Sequence, residues 1–174
     1  MKGLVHIYCG DGKGKTSAAL GLALRAAGRG KRILIVRFLK NEDSGEVPVL
    51  RSIPGITVMP CDREFGFIFR MKEEQRMEAA EYFQTRFESA CRQALEERYD
   101  VLILDEIMAA CHYGMVQEAD VRRFLEQRPE SMEIVLTGRD PSAGLLEMAV
   151  YISEICMRKH PYEKGIPARE GIEY

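Results

Sequence analysis

Several features that would assign this 174-residue sequence to a specialised class are missing. It has no apolar run near the roughly 20 residues that a transmembrane helix needs. The segment VHIY before Cys9 is too short for the core of a signal peptide. A net charge of −2 gives no long-range attraction to nucleic acid or to an anionic membrane. We therefore expect neither as a partner.

Cysteine and histidine are also sparse. The five cysteines are odd in number and form no CxxC pair, which is typical of free thiols in a reducing compartment. The three histidines share no metal-ligand spacing, and no Ser/His/Asp or Cys/His arrangement for nucleophilic catalysis is recognisable. These absences argue against a disulfide framework and a zinc site, and they predict a cytoplasmic location.

The composition that remains, 46% hydrophobic and 30% charged, is that of an ordinary globular protein. The length predicts one domain over residues 1–174. Apolar runs alternate with segments of helical spacing. We expect strands at 4–9, 32–39, 56–60, 99–106 and 132–138, and helices at 15–28, 72–98, 118–127 and 143–148. This alternation indicates an α/β fold with a mostly parallel sheet flanked by helices, which binds ligands beyond the carboxyl ends of its strands.

Other stretches are harder to assign. Residues 40–55 are polar and contain glycine and proline, so we expect a loop with at most one helical turn. Residues 62–71 match no regular pattern, and 150–155 form a short apolar segment before a polar tail. Within 72–98, helical spacing predicts that one set of side chains faces the core: Met77, Ala80, Phe83, Phe87, Cys91, Ala94 and Leu95.

The stretch CGDGKGKTS at 9–17 lies between the first predicted strand and helix. It matches the phosphate-loop pattern G-x-x-x-x-G-K-[ST], with Cys9 in place of the first glycine. Glycines let backbone N–H groups converge on an anion, and the positive end of the following helix points at the same place. Lys15 can reach the terminal phosphates, and the Thr16 hydroxyl is placed to bind Mg²⁺. The predicted nucleotide-binding residues are Gly10, Asp11, Gly12, Lys13, Gly14, Lys15, Thr16 and Ser17. An ordinary glycine-rich turn is the alternative.

Two carboxylates follow the strand at 99–106. Mg²⁺ on a triphosphate takes one or two protein carboxylates, and Asp105 and Glu106 stand at a strand end where they could supply them. The predicted metal ligands are therefore Thr16, Asp105 and Glu106. The alternative is that an acid caps the next helix.

Beyond the loop, several blocks resemble the ATP:corrinoid adenosyltransferases, which make adenosylcobalamin in bacteria. The blocks are GKGKT at 12–16, LDEI at 104–107, LTGRDPSAGLLEMA at 136–149 and KHPYEKGIPAREGIEY at 159–174. They occur in the family's order and cover nearly the whole chain. The resemblance implies a RecA-like P-loop fold, usually a homodimer, and it adds Arg139 of the TGR segment to the nucleotide-binding residues.

The resemblance also implies a reaction. The 5′-deoxyadenosyl group of ATP passes to the Co(I) of a reduced corrinoid, cobalamin or a precursor, and triphosphate leaves. Lys13, Lys15, the loop amides and Mg²⁺ would stabilise the charge on the leaving group. No protein base is needed, because the corrinoid is the nucleophile. In this family the loop holds ATP in the reversed sense, and an electron-donor protein, a flavodoxin or a reductase, supplies the reduced cobalt.

The stretch EFGFIF at 64–69 resembles a family segment that places two aromatic rings beside the corrinoid. Those rings displace the lower axial ligand and make Co(II) easier to reduce. Phe67 and Phe69 match their positions, so Lys15, Phe67 and Phe69 are the predicted catalytic residues. Burial of both rings in the core is the alternative.

The chain departs from the family at a few positions. Phe69 stands where tryptophan is common, Met108 where asparagine is frequent and Val150 where aspartate is frequent; the extension that precedes the first strand in some members is lacking. Two other functions stay open at the level of the residues. One is a small phosphate-loop kinase or ATPase that uses Arg139 to stabilise charge, and the other is a non-catalytic carrier of nucleotide or corrinoid.

Overall fold

The computed structural model describes residues 2–66 and 68–172. Its centre is a sheet with the strand order β3-β2-β4-β5-β1-β6, in which every neighbouring pair is parallel. The strands are β1 (Val5–Cys9), β2 (Ile33–Arg37), β3 (Ile56–Val58), β4 (Val101–Asp105), β5 (Glu133–Thr137) and β6 (Tyr151–Glu154). The predicted parallel α/β sheet is confirmed.

Helices connect the strands. They are α1 (Lys15–Ala27), α2 (Glu46–Ser52), α3 (Glu73–Glu96), α4 (Ile107–His112), α5 (Glu118–Gln127) and α6 (Ala143–Met148), with short 3₁₀ turns at Ile68–Arg70 and Pro161–Lys164. The expectation of a loop with at most one turn at 40–55 is wrong, because α2 lies there. Its Pro48 falls in the first turn, where a helix needs no N–H from it, and Val47 and Leu50 are buried three residues apart.

The two faces of the sheet carry different helices. On β4, Leu102 and Leu104 pack with α3, α4 and α5 on one face. Val101 and Ile103 pack with α1 and α2 on the other face. Because strand side chains alternate between faces, Asp105, two residues after Ile103, falls on the α1 side. This alternation decides which helix the carboxylate meets.

Helix α3 differs in part from the pattern predicted for it. Met77 and Leu95 are 67% and 44% exposed, so the expectation that they face the core is wrong. Arg86 is buried instead. Its guanidinium donates to the carbonyls of Arg37 and Met59, at N–O distances of 3.3 and 2.9 Å. These bonds give the buried guanidinium polar partners at the ends of β2 and β3, as a buried charge needs.

The outer strand β6 is exposed along its whole length, and Tyr151 stacks on His6 of β1 with ring centroids 4.6 Å apart. The His6 ring also bonds to the carboxylate of Glu133. His6 therefore has a structural role in joining β1, β5 and β6. Among the helices of residues 2–66 and 68–172, none combines the length and the apolar content needed to cross a membrane.

Candidate functional site

A cleft of about 920 Å³ opens beyond the carboxyl ends of the strands. One wall is the phosphate-loop segment 11–17. The other residues that line it include Lys40 after β2, Glu106 after β4 and Arg139 after β5, together with the segment 63–66. The topology thus brings the ends of four parallel strands to one opening, as expected for an open α/β sheet.

The phosphate loop is held against the chain that follows β6. Cys9 is buried at the end of β1, where a small side chain fits. The amide of Gly12 donates to the carbonyl of Ile155 at 2.7 Å. A Cβ atom on Gly10 or Gly12 would lie 2.5 or 2.6 Å from that same carbonyl oxygen, and Gly10 has φ +103°. Glycine is therefore required at both positions by this close backbone approach.

Lys15 folds back over the loop. Its ammonium donates to the carbonyls of Gly10 and Gly12 at 2.8 and 2.9 Å. The residue is only 8% exposed, and this burial lowers the pKa of Lys15 more than the nearby charge of Glu106 raises it. The ammonium lies at the base of the cleft, where an anionic phosphate would provide a stronger partner than the two carbonyls do.

Asp105 forms a hydrogen-bonded cluster beneath the loop. It is 1% exposed, and the Thr16 hydroxyl donates to its Oδ1 at 2.9 Å. Thr137 of β5 donates to the same oxygen at 2.7 Å. Lys40 donates to Oδ2 at 2.5 Å and to Thr16 Oγ1 at 2.9 Å. The buried carboxylate is thus paired with one cation and two hydroxyls, as a buried charge must be.

Glu106 is placed by its own backbone. It is the N-cap of α4 with φ 61°, in the left-handed region, and its side chain makes no capping hydrogen bond. Its amide donates to Thr137 Oγ1 at 2.9 Å, and its side chain lines the cleft. Glu106 thus holds the N-cap position, but its carboxylate does not cap the helix by a hydrogen bond. A strained φ at the end of a strand is typical of residues held for a functional reason.

Lys40 and Thr137 belong to this cluster and were not predicted. Each lies at the carboxyl end of a strand in the printed sequence, Lys40 after RILIVRFL and Thr137 at the end of EIVLT. A position at the carboxyl end of a strand, where such sheets bind ligands, could have identified both as candidate site residues. Which neighbour each side chain meets depends on the strand order, in which β4 lies between β2 and β5.

The loop that carries Lys40 is anchored by Glu42. This carboxylate accepts hydrogen bonds from the Cys61 amide at 2.6 Å, Arg51 at 2.6 Å and Arg37 at 3.2 Å. Burial would raise the pKa of Glu42, but these hydrogen bonds hold it below its ordinary value. Leu39, directly before Lys40, has φ 55°. The backbone therefore turns sharply to direct Lys40 at the cluster.

Most of the predicted site residues meet in this cleft. Its lining includes Asp11, Gly12, Lys13, Gly14, Lys15, Thr16, Ser17, Glu106 and Arg139. Gly10 and Asp105 lie behind that lining, and Asp105 reaches it through Thr16. Phe67 and the side chain of Phe69 lie outside the described residues. The neighbouring Phe65 lines the cleft, and the centroid of its ring lies 5.3 Å from that of Tyr82.

The donor set suits a hard divalent cation. Within the described ranges no group of three or more His, Cys, Asp or Glu side chains is arranged to hold a metal by itself. Mg²⁺ does not need one, since it takes one or two carboxylates and completes its shell with waters and phosphate oxygens. The Thr16 hydroxyl and the Asp105 carboxylate already share one cation, the ammonium of Lys40. The residues therefore fit a small cation at this point.

The family model and the similar proteins identified by comparison agree on one family. The sequence model described as ATP:corrinoid adenosyltransferase BtuR/CobO/CobP matches residues 1–174. A corrinoid adenosyltransferase of a Sinorhizobium species is 32% identical, over 99% of this chain and 81% of its own length. The corrinoid adenosyltransferase of Escherichia coli K12 is 30% identical, over 99% and 86%.

A solved structure agrees on the fold. The KaiC-like protein PH0186 of Pyrococcus horikoshii superposes with a TM-score of 0.52 at 14% identity, covering 91% of this chain and 75% of that one. Similarity at this level bears on the architecture alone, and it confirms the predicted P-loop type of α/β fold.

Proposed function

This chain belongs to the ATP:corrinoid adenosyltransferase family, and from that premise we propose how its cleft performs the transfer. ATP and a reduced corrinoid are the substrates. The Co(I) of the corrinoid attacks the ribose C5′ atom, a Co–C bond forms, and the C5′–O5′ bond breaks. Its electron pair leaves with the triphosphate. The observation that carries the proposal is the match to the family over all of residues 1–174.

In this proposal the phosphate loop binds the leaving group. Lys15 turns from the carbonyls of Gly10 and Gly12 to the phosphate oxygens, and Lys13 and Arg139 add positive charge at the rim. These groups stabilise the negative charge that grows on the departing oxygen. The location of Lys15, buried at the base of the cleft, supports this role. No side chain has to remove a proton, because the nucleophile is the cobalt.

We propose that Mg²⁺ accompanies the triphosphate. Thr16 and Asp105 would hold it, and the Glu106 carboxylate would contact it directly or through a water molecule. Its chemistry is to neutralise phosphate charge and so improve the leaving group. Two observations support this proposal. The Thr16 hydroxyl and the Asp105 carboxylate already contact a cation, the Lys40 ammonium, and the carboxylate of Glu106 lines the same cleft.

The corrinoid side of the cleft is proposed to contain Phe67 and Phe69. An apolar surface below the cobalt would disfavour an axial donor and so ease the reduction of Co(II). The described segment 63–66, directly before Phe67, lines the same cleft as the phosphate loop, which supports a short path between the two substrates. We also propose that a flavodoxin or a reductase supplies the electron in the cytoplasm.

We further propose that the protein acts as a homodimer. The resemblance to the family suggests it, and the exposed apolar side chains around β6, those of Val150, Tyr151 and Ile152, offer a surface for a second copy. Sedimentation of the purified protein checks it: a single species at twice the monomer mass of 19.8 kDa is expected.

The reaction is tested by its products. Protein incubated with ATP, Mg²⁺ and chemically reduced cobalamin should yield the light-sensitive spectrum of the adenosylated cofactor and an equal amount of triphosphate. Lys15→Ala should abolish both, whereas the surface change Lys31→Ala should leave them unaltered. Formation of ADP or orthophosphate would instead indicate a kinase or an ATPase. Tight corrinoid binding without turnover would indicate a carrier.

Phe67→Ala separates the adenosyltransferase from those alternatives. With Co(II)alamin and a reductant protein, we expect the variant to lose most of its activity, because the axial donor is no longer displaced. With cobalamin reduced beforehand to Co(I), the same variant should retain activity. The assay with Co(I) thus serves as the control that the variant protein is folded and able to transfer the group. Equal loss with both substrates would contradict the proposed role of Phe67.

A further inference from the structure

One cation of the site has no role in the transfer as described so far. The Lys40 ammonium lies 2.5 Å from Asp105 Oδ2 and 2.9 Å from Thr16 Oγ1. These are the two groups that would hold Mg²⁺. Lys40 therefore occupies the position at which a divalent cation would meet the protein.

We propose that Lys40 is a built-in counter-cation that Mg²⁺ must displace. The inference rests on the proposed function only in assigning the Mg²⁺–nucleotide complex to the phosphate loop. An ammonium and Mg²⁺ cannot both contact the same carboxylate oxygen and hydroxyl at bonding distance, because the two positive charges repel and the oxygens have few free lone pairs. Binding of one therefore opposes binding of the other.

Charge balance explains why the protein would keep such a residue. Asp105 is almost completely buried, and a buried carboxylate without a partner is costly. Lys40 neutralises it in the absence of nucleotide. When Mg²⁺ arrives with a triphosphate, several negative charges enter together and outweigh the loss of the ammonium. The displaced side chain then remains beside the phosphates, because Lys40 already lines the cleft.

The loop geometry supports a residue that is held in place yet able to leave. Leu39, directly before Lys40, has φ 55°, a strained backbone conformation that directs Lys40 at the cluster. Glu42 fixes the far side of the loop through Arg37, Arg51 and the Cys61 amide. The Lys40 side chain itself remains about one quarter exposed, so it can swing towards solvent without unpacking the core.

The consequence is that the nucleotide-free protein binds divalent cations weakly. Lys40→Met keeps the length and removes the charge, so Thr16 and Asp105 become available. We expect Mn²⁺ to bind the nucleotide-free variant at least about tenfold more tightly than the parent, since a charge-assisted hydrogen bond no longer competes. Titration followed by the electron paramagnetic resonance signal of free Mn²⁺ measures this without any turnover.

Control variants test whether the tighter Mn²⁺ binding comes from the charge of Lys40 and the carboxylate of Asp105. Lys31 also bonds directly to a carboxylate, that of Asp100 at 2.9 Å, but this pair is not among the cleft-lining residues and is exposed. Lys31→Met should leave Mn²⁺ binding unchanged, and Lys40→Arg, which keeps the charge, should stay close to the parent. Adding Asp105→Asn to Lys40→Met should remove the gained affinity.

Thermal unfolding gives a second readout that does not depend on tight binding. Lys40→Met leaves a buried charge unpaired, so its melting temperature should fall without metal and recover on addition of Mg²⁺ by more than the parent gains. If Lys40→Met does not fold, Lys40→Gln, which can still donate to Asp105, takes its place in both measurements.

Equal or weaker Mn²⁺ binding by the neutral variants would overturn the inference. That failure is distinguishable from a failure of the proposed function. In the first case the parent still makes adenosylated cobalamin and triphosphate while Lys40 has no effect on cation affinity. In the second case the parent makes neither product, although Mn²⁺ binding to the nucleotide-free protein still responds to Lys40.

Discussion

The substitution Thr137→Val should be far more damaging than its small change in shape suggests. The Thr137 hydroxyl donates to Asp105 Oδ1 at 2.7 Å and accepts from the Glu106 amide at 2.9 Å. Thr137 has no exposed surface. Valine has nearly the same outline but neither donates nor accepts. The change therefore removes one hydrogen bond to a buried carboxylate and leaves the partly buried Glu106 N–H without its partner.

The expected cost follows from these two bonds. A hydrogen bond to a charged group contributes about 1.5–3 kcal/mol, and a buried amide left without a partner costs about 1–3 kcal/mol. The extra methyl of valine offsets about 1 kcal/mol through apolar burial. The free energy of unfolding should therefore fall by about 3 kcal/mol, which is a large share of the total of about 5–15 kcal/mol for an ordinary domain.

Thr137→Ser is the matched control. It keeps the hydroxyl and loses one buried methyl, so it should cost about 1 kcal/mol. In urea unfolding, with a slope of about 2 kcal/mol per molar, the midpoint should fall by about 1.5 M for valine and about 0.5 M for serine. If both variants lose the same amount, or if valine loses less than serine, the hydroxyl does not hold Asp105 and the reasoning is wrong.

Three further predictions test other contacts. Gly12→Ala should lower stability by about 1–3 kcal/mol and weaken ATP binding, because its Cβ would lie 2.6 Å from the Ile155 carbonyl oxygen; calorimetry of unfolding and of ATP binding measures both. Burial would raise the pKa of Asp100, but hydrogen bonds from the Arg32 amide and Lys31 to its charged form hold it below its ordinary value. Its stabilisation is therefore present at pH values above the ordinary pKa of an aspartate and is lost as the pH falls through the lowered pKa. Asp100→Asn should cost about 0.5–1 kcal/mol at pH 7 and progressively less as the pH is lowered into the acid range, in urea unfolding at each pH. Cys111 is partly buried, and this burial raises its pKa to about 12, whereas Cys156 is exposed. Iodoacetamide at pH 8 should therefore label Cys156 at least about a hundredfold faster by mass spectrometry, and comparable rates would contradict the raised pKa of Cys111.

Much of this molecule could be predicted from local patterns. Alternating apolar runs and helical segments indicate a parallel sheet, and the stretch at 9–17 has the letters of a phosphate loop in the right context. The predicted sheet and the P-loop type of fold are confirmed, and they could be predicted because they depend on neighbours in the chain: backbone periodicity, and the residues of one turn and one helix end. The same locality explains the error at α2, where glycine and proline suggested a loop although Pro48 is compatible with a first helical turn.

The residues alone point to Lys15, Thr16 and a strand-end carboxylate as site residues, and alternation along β4 puts Asp105 on the same face as Val101 and Ile103. The surroundings of that carboxylate follow only from the folded chain. Lys40 and Thr137 are 65 and 32 residues away from it in the chain. They meet it because the sheet places β4 between β2 and β5. Strand order arises from packing of the whole chain, and periodicity along one segment carries no information about which strand lies beside it.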